Sequence, residues 1–169
     1  MENCKKAATA VEKALAEKDP EHAARYKERT QTYLHQLDET NEYVKKRSAE
    51  IPENSRILVT AHDAFQYFSR AYGFQVRGLQ GVSTASEAGT RDMADLVQFI
   101  TDHKIKAIFV ESSVPHKTIE AVQEACRAKG WNVVVGGELY SDSLDTTTHP
   151  AGTYIGMIKA NIDTIVDAL

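Results

Sequence analysis

Hydrophobic positions follow different periods on the two sides of Pro52. Before Pro52 they recur only at helical spacing, and the first set predicts a helix over residues 1–18: Ala7, Ala8, Val11 and Leu15. Asp19 and Pro20 interrupt this pattern. We expect Asp19 to cap a second helix, with Pro20 in its first turn, where a missing N–H costs nothing.

The second helix carries a thin seam of packing positions over residues 19–52. Steps of four and three connect them: Tyr26, Thr30, Tyr33, Leu37, Thr40, Val44, Arg47 and Ile51. Most of these side chains are not aliphatic, so the pattern predicts one long, solvent-exposed helix with a narrow packing stripe. Dimerisation as a coiled coil is the alternative, and it would need aliphatic residues at nearly all of these positions.

Strands and helices alternate after Pro52. Strands are predicted at 56–60, 74–79, 106–110 and 132–135, the last of them ended by Gly136 and Gly137. Four helices are predicted between and after them: one ended by Gly73, one capped by Thr90, one starting at Pro115 and closed by Gly130, and one over 152–169. The third and fourth strands are apolar on both faces. Residues 53–169 are therefore predicted to form an α/β domain, with a four-stranded, mostly parallel sheet flanked by helices.

Composition narrows the class of protein. The chain has 169 residues, 42% of them hydrophobic, which is enough for one domain with a real core. Its formal charge of −4, with basic residues scattered among acids, argues against a nucleic-acid partner. No apolar run is long enough to cross a membrane, and no signal peptide precedes the first helix, which alone would indicate the cytosol. Cys4 and Cys126 are expected to be free thiols, Cys126 as a core residue.

Ionisable residues follow three of the predicted strands. His62 comes after the first, Glu111 after the third, and Asp142 after the fourth. Because ligands bind at the carboxyl ends of strands in open α/β sheets, an imidazole with carboxylates there suits a divalent transition metal such as Zn, Mn or Fe. His149, in the polar loop 141–150, is one further candidate ligand.

A simpler interpretation needs no ligand. In it Asp63 caps the helix after the first strand, Ser112 or Ser113 caps the helix at Pro115, and His62 is a hydrogen-bonded buried side chain.

Other chemistries have weaker support. Gly78-Leu-Gln-Gly81 lacks the spacing of a phosphate-binding loop, which argues against nucleotide binding. A hydrolase triad of Ser112 or Ser113 with His62 and Asp142 lacks the usual Gly-x-Ser-x-Gly turn. A small metal-dependent α/β enzyme using His62, Glu111 and Asp142 stays open as an alternative.

Several strings together resemble the zinc/manganese/iron substrate-binding proteins of ABC importers. They lie at Val59–Gly73, Leu79–Thr84, Ile108–Pro115, Gly136–Ser143 and Gly152–Met157. The resemblance covers nearly the whole chain. It implies a non-enzymatic binding protein in which 1–18 is the remnant of an N-terminal lobe, 19–52 the interlobe helix and 53–169 the C-terminal lobe.

The resemblance also implies roles for individual residues. His62 and Asp142 match metal ligands of the C-terminal lobe, while Glu111, Ser112 and Ser141 match positions near the cleft. Two further ligands would lie on an N-terminal lobe, which this chain does not carry and without which it should bind metal weakly. The cargo would be Zn or Mn, with Fe a third candidate. The parent protein would be periplasmic or a cell-surface lipoprotein that serves a membrane ABC permease. No sequence feature supports or excludes an adhesin role.

Overall fold

The computed structural model describes residues 1–81 and 89–169, so the end of the string Leu79–Thr84 lies outside the described residues. Six α-helices are present in this part of the chain: α1 (Glu2–Lys18), α2 (Ala23–Ser48), α3 (Gln66–Tyr72), α4 (Thr90–Asp102), α5 (Lys117–Ala128) and α6 (Tyr154–Ala168). Four strands are present: β1 (Ile57–His62), β2 (Gln75–Gln80), β3 (Ala107–Glu111) and β4 (Val134–Leu139). The chain divides into two compact units, Met1–Lys45 and Lys46–Leu169.

The first unit holds α1 and most of α2. The α1 helix has no buried residue, and Val11 and Leu15 are 58% and 43% exposed. The predicted Asp19 cap is wrong, because its side chain makes no capping hydrogen bond and a single 3-10 turn, Pro20–His22, precedes α2. The Asp19 carboxylate instead accepts a 2.6 Å hydrogen bond from the Tyr26 hydroxyl. The side chain that was expected to cap the start of the second helix thus ties the turn to α2.

The packing stripe predicted for the long helix is confirmed. Leu37, Thr40, Val44 and Ile51 are buried along it. Its other positions are half-buried, whereas most residues between them are exposed. No helix in the described part of the chain is long and apolar enough to span a membrane.

The sheet of the second unit consists of two parallel pairs. The β1 strand pairs with β2 from Ile57↔Gln75 to His62↔Gln80, and β3 pairs with β4 from Ala107↔Val134 to Glu111↔Leu139. Because β1 also contacts β3, the four strands follow the spatial order β2-β1-β3-β4, with the backbone ladders confined to the two pairs. Helices α3 to α6 pack on these strands. The predicted α/β fold, with parallel strands flanked by helices, is confirmed.

The core lies between the strands and helices α4 and α5. Every residue of β3 is buried, as predicted, and so is Cys126 on α5. The fourth strand is not covered on both faces, contrary to the prediction from its apolar residues, because Val134 and Val135 are 47% and 37% exposed. The reason is its position, since β4 is an edge strand that pairs on one side only.

Gly136 and Gly137 do not end the fourth strand, contrary to the prediction, and β4 continues to Leu139. A Cβ atom on Gly136 would lie 2.9 Å from Cε1 of Phe109 and 2.7 Å from Cβ of Ala168. Gly137 has φ +144° and pairs with Phe109, whereas Val135 pairs with Ile108, so Gly136 is an extra residue in β4. The glycines therefore allow β3 and α6 to approach this strand closely.

The α3 helix ends at Gly73 in the left-handed conformation, as expected, but α4 begins one residue earlier than predicted and α5 and α6 begin later. Thr90 is the first residue of α4 and not its cap, because Gly89 occupies the cap position and donates its N–H to Asp92 over 3.0 Å. The α5 helix begins two residues after Pro115. The α6 helix begins after Thr153, whose hydroxyl accepts the Gly156 N–H over 3.1 Å.

A charged cluster connects the last turn of α2 to α6. The Arg47 guanidinium donates through Nε to Asp163 over 2.9 Å and through Nη2 to Asp167 over 2.6 Å. It also pairs with Glu50. Two carboxylates one turn apart on α6 thus hold one side chain of α2.

Candidate metal centre

The candidate site lies where β1 and β3 end side by side. The chain passes from β1 to β2 on one side of this junction and from β3 to β4 on the other. In open α/β sheets such a reversal of strand order leaves a crevice at the carboxyl ends of the strands, where ligands bind. His62 is the last residue of β1 and Glu111 the last of β3, so both stand at this crevice.

His62 and Glu111 are both buried and in direct contact. The His62 backbone N–H donates to Oε1 of Glu111 over 2.8 Å, and Nδ1 of the imidazole lies 2.8 Å from Oε2. The second contact is at ion-pair distance without hydrogen-bond alignment, and neither Nδ1 nor Oε2 has another hydrogen-bond partner among the described residues. A carboxylate beside Nδ1 is the arrangement that orients an imidazole so that its Nε2 can bind a metal.

Asp142 approaches the same imidazole from its other side. Its Oδ2 lies 3.0 Å from Nε2 of His62, and its side chain is 64% exposed. The backbone of Asp142 has φ +56°, in the left-handed region that residues other than glycine rarely adopt. Nε2 and this carboxylate are the donor types that Zn, Mn and Fe accept, and they meet where a buried histidine faces an exposed carboxylate.

Four serines join the two loops that carry these groups. Ser113 Oγ lies 2.7 Å from Ser141 Oγ, and Ser112 Oγ lies 3.2 Å from Ser143 Oγ. The Ser141 N–H also donates to Ser112 Oγ over 3.3 Å. Ser112 and Ser141, both predicted near the cleft, therefore lie together, and they connect the loop after β3 to the residues around Asp142.

The capping roles in the simpler interpretation are wrong. His116 occupies the cap position of α5, where no side chain forms a capping hydrogen bond, and the serines contact the other loop instead. Asp63 does not cap α3, since its carboxylate accepts a hydrogen bond from the Gln66 side chain.

His149 belongs to a second cluster in the loop after β4. Its Nδ1 lies 2.9 Å from Oδ2 of Asp145, which also accepts a 2.7 Å hydrogen bond from the Tyr140 hydroxyl. This hydrogen bond, with a backbone N–H bond from Thr146 and the nearby His149, lowers the pKa of Asp145. The same Asp145 contact raises the pKa of Tyr140. In the described part of the chain, His149 is not among the residues that contact His62.

Sequence reasoning missed Asn161, a buried residue of α6 that contacts the same loop. Its Oδ1 accepts the Tyr140 N–H over 2.8 Å, and its Nδ2 donates to the Tyr140 carbonyl over 2.9 Å. A signal was present, because Asn161 interrupts the inward-facing series of Ile158, Ile162 and Ile165. A polar residue on an otherwise apolar helix face needs a buried partner.

The described residues do not form a complete set of metal ligands. Within 1–81 and 89–169, no group of three or more His, Cys, Asp or Glu side chains is arranged to hold a metal ion. Structural zinc sites have four ligands as a rule. His62 and Asp142 would supply two of them.

Known proteins match the chain over nearly its whole length. The sequence model of the family described as ZnuA, zinc-uptake complex component A periplasmic, matches residues 1–168. The zinc-binding protein TroA of Treponema pallidum is 51% identical over 160 residues, 95% of this chain and 52% of its own length. The manganese-binding lipoprotein MntA of Bacillus subtilis is 46% identical over 159 residues, 94% of this chain and 52% of its length. The chain thus spans about half the length of the curated relatives it matches.

A solved structure also matches nearly the whole chain. That of periplasmic TroA from Treponema pallidum superimposes with a TM-score of 0.93 at 51% identity, over 95% of this chain and 58% of that one. The relatives are binding proteins of transporters and not enzymes, so the alternative of a small metal-dependent enzyme is not supported. The chain belongs to the ZnuA family, the substrate-binding proteins of metal ABC importers.

Proposed function

We propose that this chain forms part of a receptor that captures a divalent transition metal, Zn or Mn, for import. The observation that carries the proposal is the orientation of His62. Its Nδ1 faces the buried Glu111, and its Nε2 faces Asp142. Binding of iron is a further candidate activity, since one relative, of Yersinia pestis, is named an iron-binding protein.

His62 and Asp142 would bind the ion, and Glu111 would orient the imidazole. Metal ligation needs a deprotonated Nε2 and an ionised carboxylate, and these two groups already lie 3.0 Å apart. Glu111 is fully buried and also accepts the His62 backbone N–H, so it can fix the ring without binding the ion. Ser112 and Ser141 would support the loop that bears Asp142.

The remaining ligands would come from the part of the relatives' length that this chain does not cover. In this proposal residues 19–52 form the helix between two lobes and 53–169 form the C-terminal lobe. Residues 1–18 are the end of the other lobe. The chain alone would then bind metal weakly, with water at the positions left open.

The receptor would work outside the cytoplasmic membrane, in the periplasm or as a lipoprotein, and would deliver its ion to an ABC permease. The support is that MntA and other relatives are named lipoproteins, one of them a substrate-binding lipoprotein of a metal ABC transporter.

Isothermal calorimetry tests the proposal. Zn²⁺ and Mn²⁺ are titrated into this chain and into a protein of the relatives' full length that contains it. We expect tighter binding by the longer protein. His62→Ala and Asp142→Ala should each weaken it by more than the roughly 10–100-fold that loss of an outer-shell partner costs.

His35→Ala and Asp95→Ala are matched controls, because both side chains are well exposed and lie outside the site. They should leave the Kd unchanged. The proposal is wrong if the longer protein binds neither ion, or if the two site variants bind as tightly as the two controls. Competition between Zn²⁺ and Mn²⁺ then identifies the preferred cargo.

A further inference from the structure

We propose that Asn161 is a positioning residue for Asp142, so that α6 determines where the carboxylate meets the ion. This inference rests on the proposed function. Asn161 lies outside the predicted ligand set, and its role depends on the backbone that follows β4.

The ladder between β3 and β4 ends at the pair Glu111↔Leu139. Tyr140 is therefore the first residue after β4, and its backbone N–H and carbonyl have no strand partner from β3. The Asn161 side chain takes the place of that partner, with bonds of 2.8 Å and 2.9 Å to the two groups. A buried backbone amide needs such partners, and one carboxamide here satisfies both of its groups.

Asn161 is itself only 3% exposed and lies beside the core residue Ile162. A side chain of this kind is costly to bury unless all its polar groups are used. Its carbonyl oxygen and amide group both bond to Tyr140. These two bonds, with a longer one of 3.5 Å from Nδ2 to Sδ of Met157, offset the cost of placing an amide in this apolar face. The two bonds to Tyr140 act two residues before Asp142.

The position of Asp142 depends on the backbone around it. Its side chain is mostly exposed, and its φ of +56° lies in the left-handed region, which Asp adopts less readily than glycine. Such a conformation persists only where the flanking backbone is held. The Asn161 contact holds it at Tyr140, and hydroxyl contacts hold Ser141 and Ser143 on either side of Asp142.

The test uses the longer protein described above, which has the relatives' full length and contains this chain. It measures the Kd for Zn²⁺ and the thermal midpoint of each variant. Asn161→Ala removes both bonds to Tyr140, and we expect about a 10–100-fold loss of affinity, as for other residues that orient a ligand. Ile165→Ala, one turn further along α6, is the matched control, because Ile165 is fully buried but belongs to the apolar core. It should lower the thermal midpoint and leave the Kd unchanged. Asn161→Ser serves if Asn161→Ala does not fold.

A double-mutant cycle separates positioning from general destabilisation. In an Asp142→Ala background, Asn161→Ala should have no further effect on the Kd. The inference is overturned if the loss is the same in both backgrounds, or if Ile165→Ala weakens binding equally. If Asp142→Ala alone leaves the Kd unchanged, the proposed function fails and this inference with it. If Asp142→Ala weakens binding and Asn161→Ala does not, only this inference fails.

Discussion

Glu111 Oε1 accepts the backbone N–H of His62 over 2.8 Å, although the two residues end strands that belong to different hydrogen-bonded pairs. The carboxylate therefore supplies a contact at the junction of β1 and β3, where the backbone ladders do not continue. It also lies beside Nδ1 of the same histidine. One buried side chain thus contributes to the sheet and to the orientation of a candidate ligand.

Glu111→Gln should weaken metal binding by about 10–100-fold, because an amide keeps the size of the side chain but removes the charge beside Nδ1. Calorimetric titration with Zn²⁺ measures the effect. Glu138→Gln is the control, since the side chain of that half-exposed glutamate on β4 pairs with the exposed His116 and not with His62 or Asp142 in the described structure. Equal Kd values for the two variants would contradict the orienting role.

Gly136→Ala should lower the free energy of unfolding by about 1–3 kcal/mol, the usual cost of overpacking a core. The new methyl group would lie 2.9 Å from Phe109 and 2.7 Å from Ala168, closer than carbon atoms can pack. Urea denaturation measures the change. Gly81→Ala is matched to it, because no atom of residues 1–81 or 89–169 lies within 4 Å of its added methyl group. Two variants of equal stability would show that β4 accommodates the methyl group by moving.

Cys4 should react with a maleimide in the native protein, and Cys126 only after unfolding. Cys126 is fully buried and burial raises the pKa of its thiol, whereas Cys4 is half-buried. The thiolate is the reactive form, so both effects slow the reaction of Cys126. Mass spectrometry should find one label per native chain and none on Cys4→Ser. Rapid labelling of Cys126 in native Cys4→Ser would show that the α5 face opens readily.

Tyr26→Phe should raise the pKa of Asp19 back towards its ordinary 3.8. The Tyr26 hydroxyl is the main cause that lowers this pKa, with His22 second. Because the folded value is depressed, the contact stabilises the fold above the ordinary pKa, and this stabilisation is lost as the pH falls through the depressed value. NMR titration of the Asp19 carboxyl carbon tests this, with the exposed Tyr67→Phe as control. The same Asp19 pKa in wild type and Tyr26→Phe would contradict it.

The pattern of apolar positions predicted the elements of this chain well, because burial follows that pattern. The stripe on α2 came from helical spacing, and the buried β3 came from a continuous apolar run. The residues at which helices and strands begin and end were predicted less well. Thr90 and Pro115 carry the residue types of a helix start, but Gly89 and His116 occupy the cap positions. Gly136 carries the signal of a strand end, yet it serves close packing.

The candidate site was partly accessible from sequence. His62, Glu111 and Asp142 follow predicted strands. Because ligands bind at the carboxyl ends of parallel strands, the sequence alone predicted that these three residues lie at one site. Asn161 was not accessible in the same way, because its partner is the backbone of Tyr140, which no side-chain pattern reveals. The left-handed backbone of Asp142 was likewise not predicted, because Asp tolerates that conformation without requiring it.

The contacts of α6 have a mechanical consequence. This helix holds the residue before the Asp142 loop through Asn161 and holds the last turn of α2 through Asp163 and Asp167. Because one helix bonds both segments, a displacement of α6 at Asp163 and Asp167 would also displace the backbone at Tyr140, two residues before Asp142, whereas His62 belongs to β1.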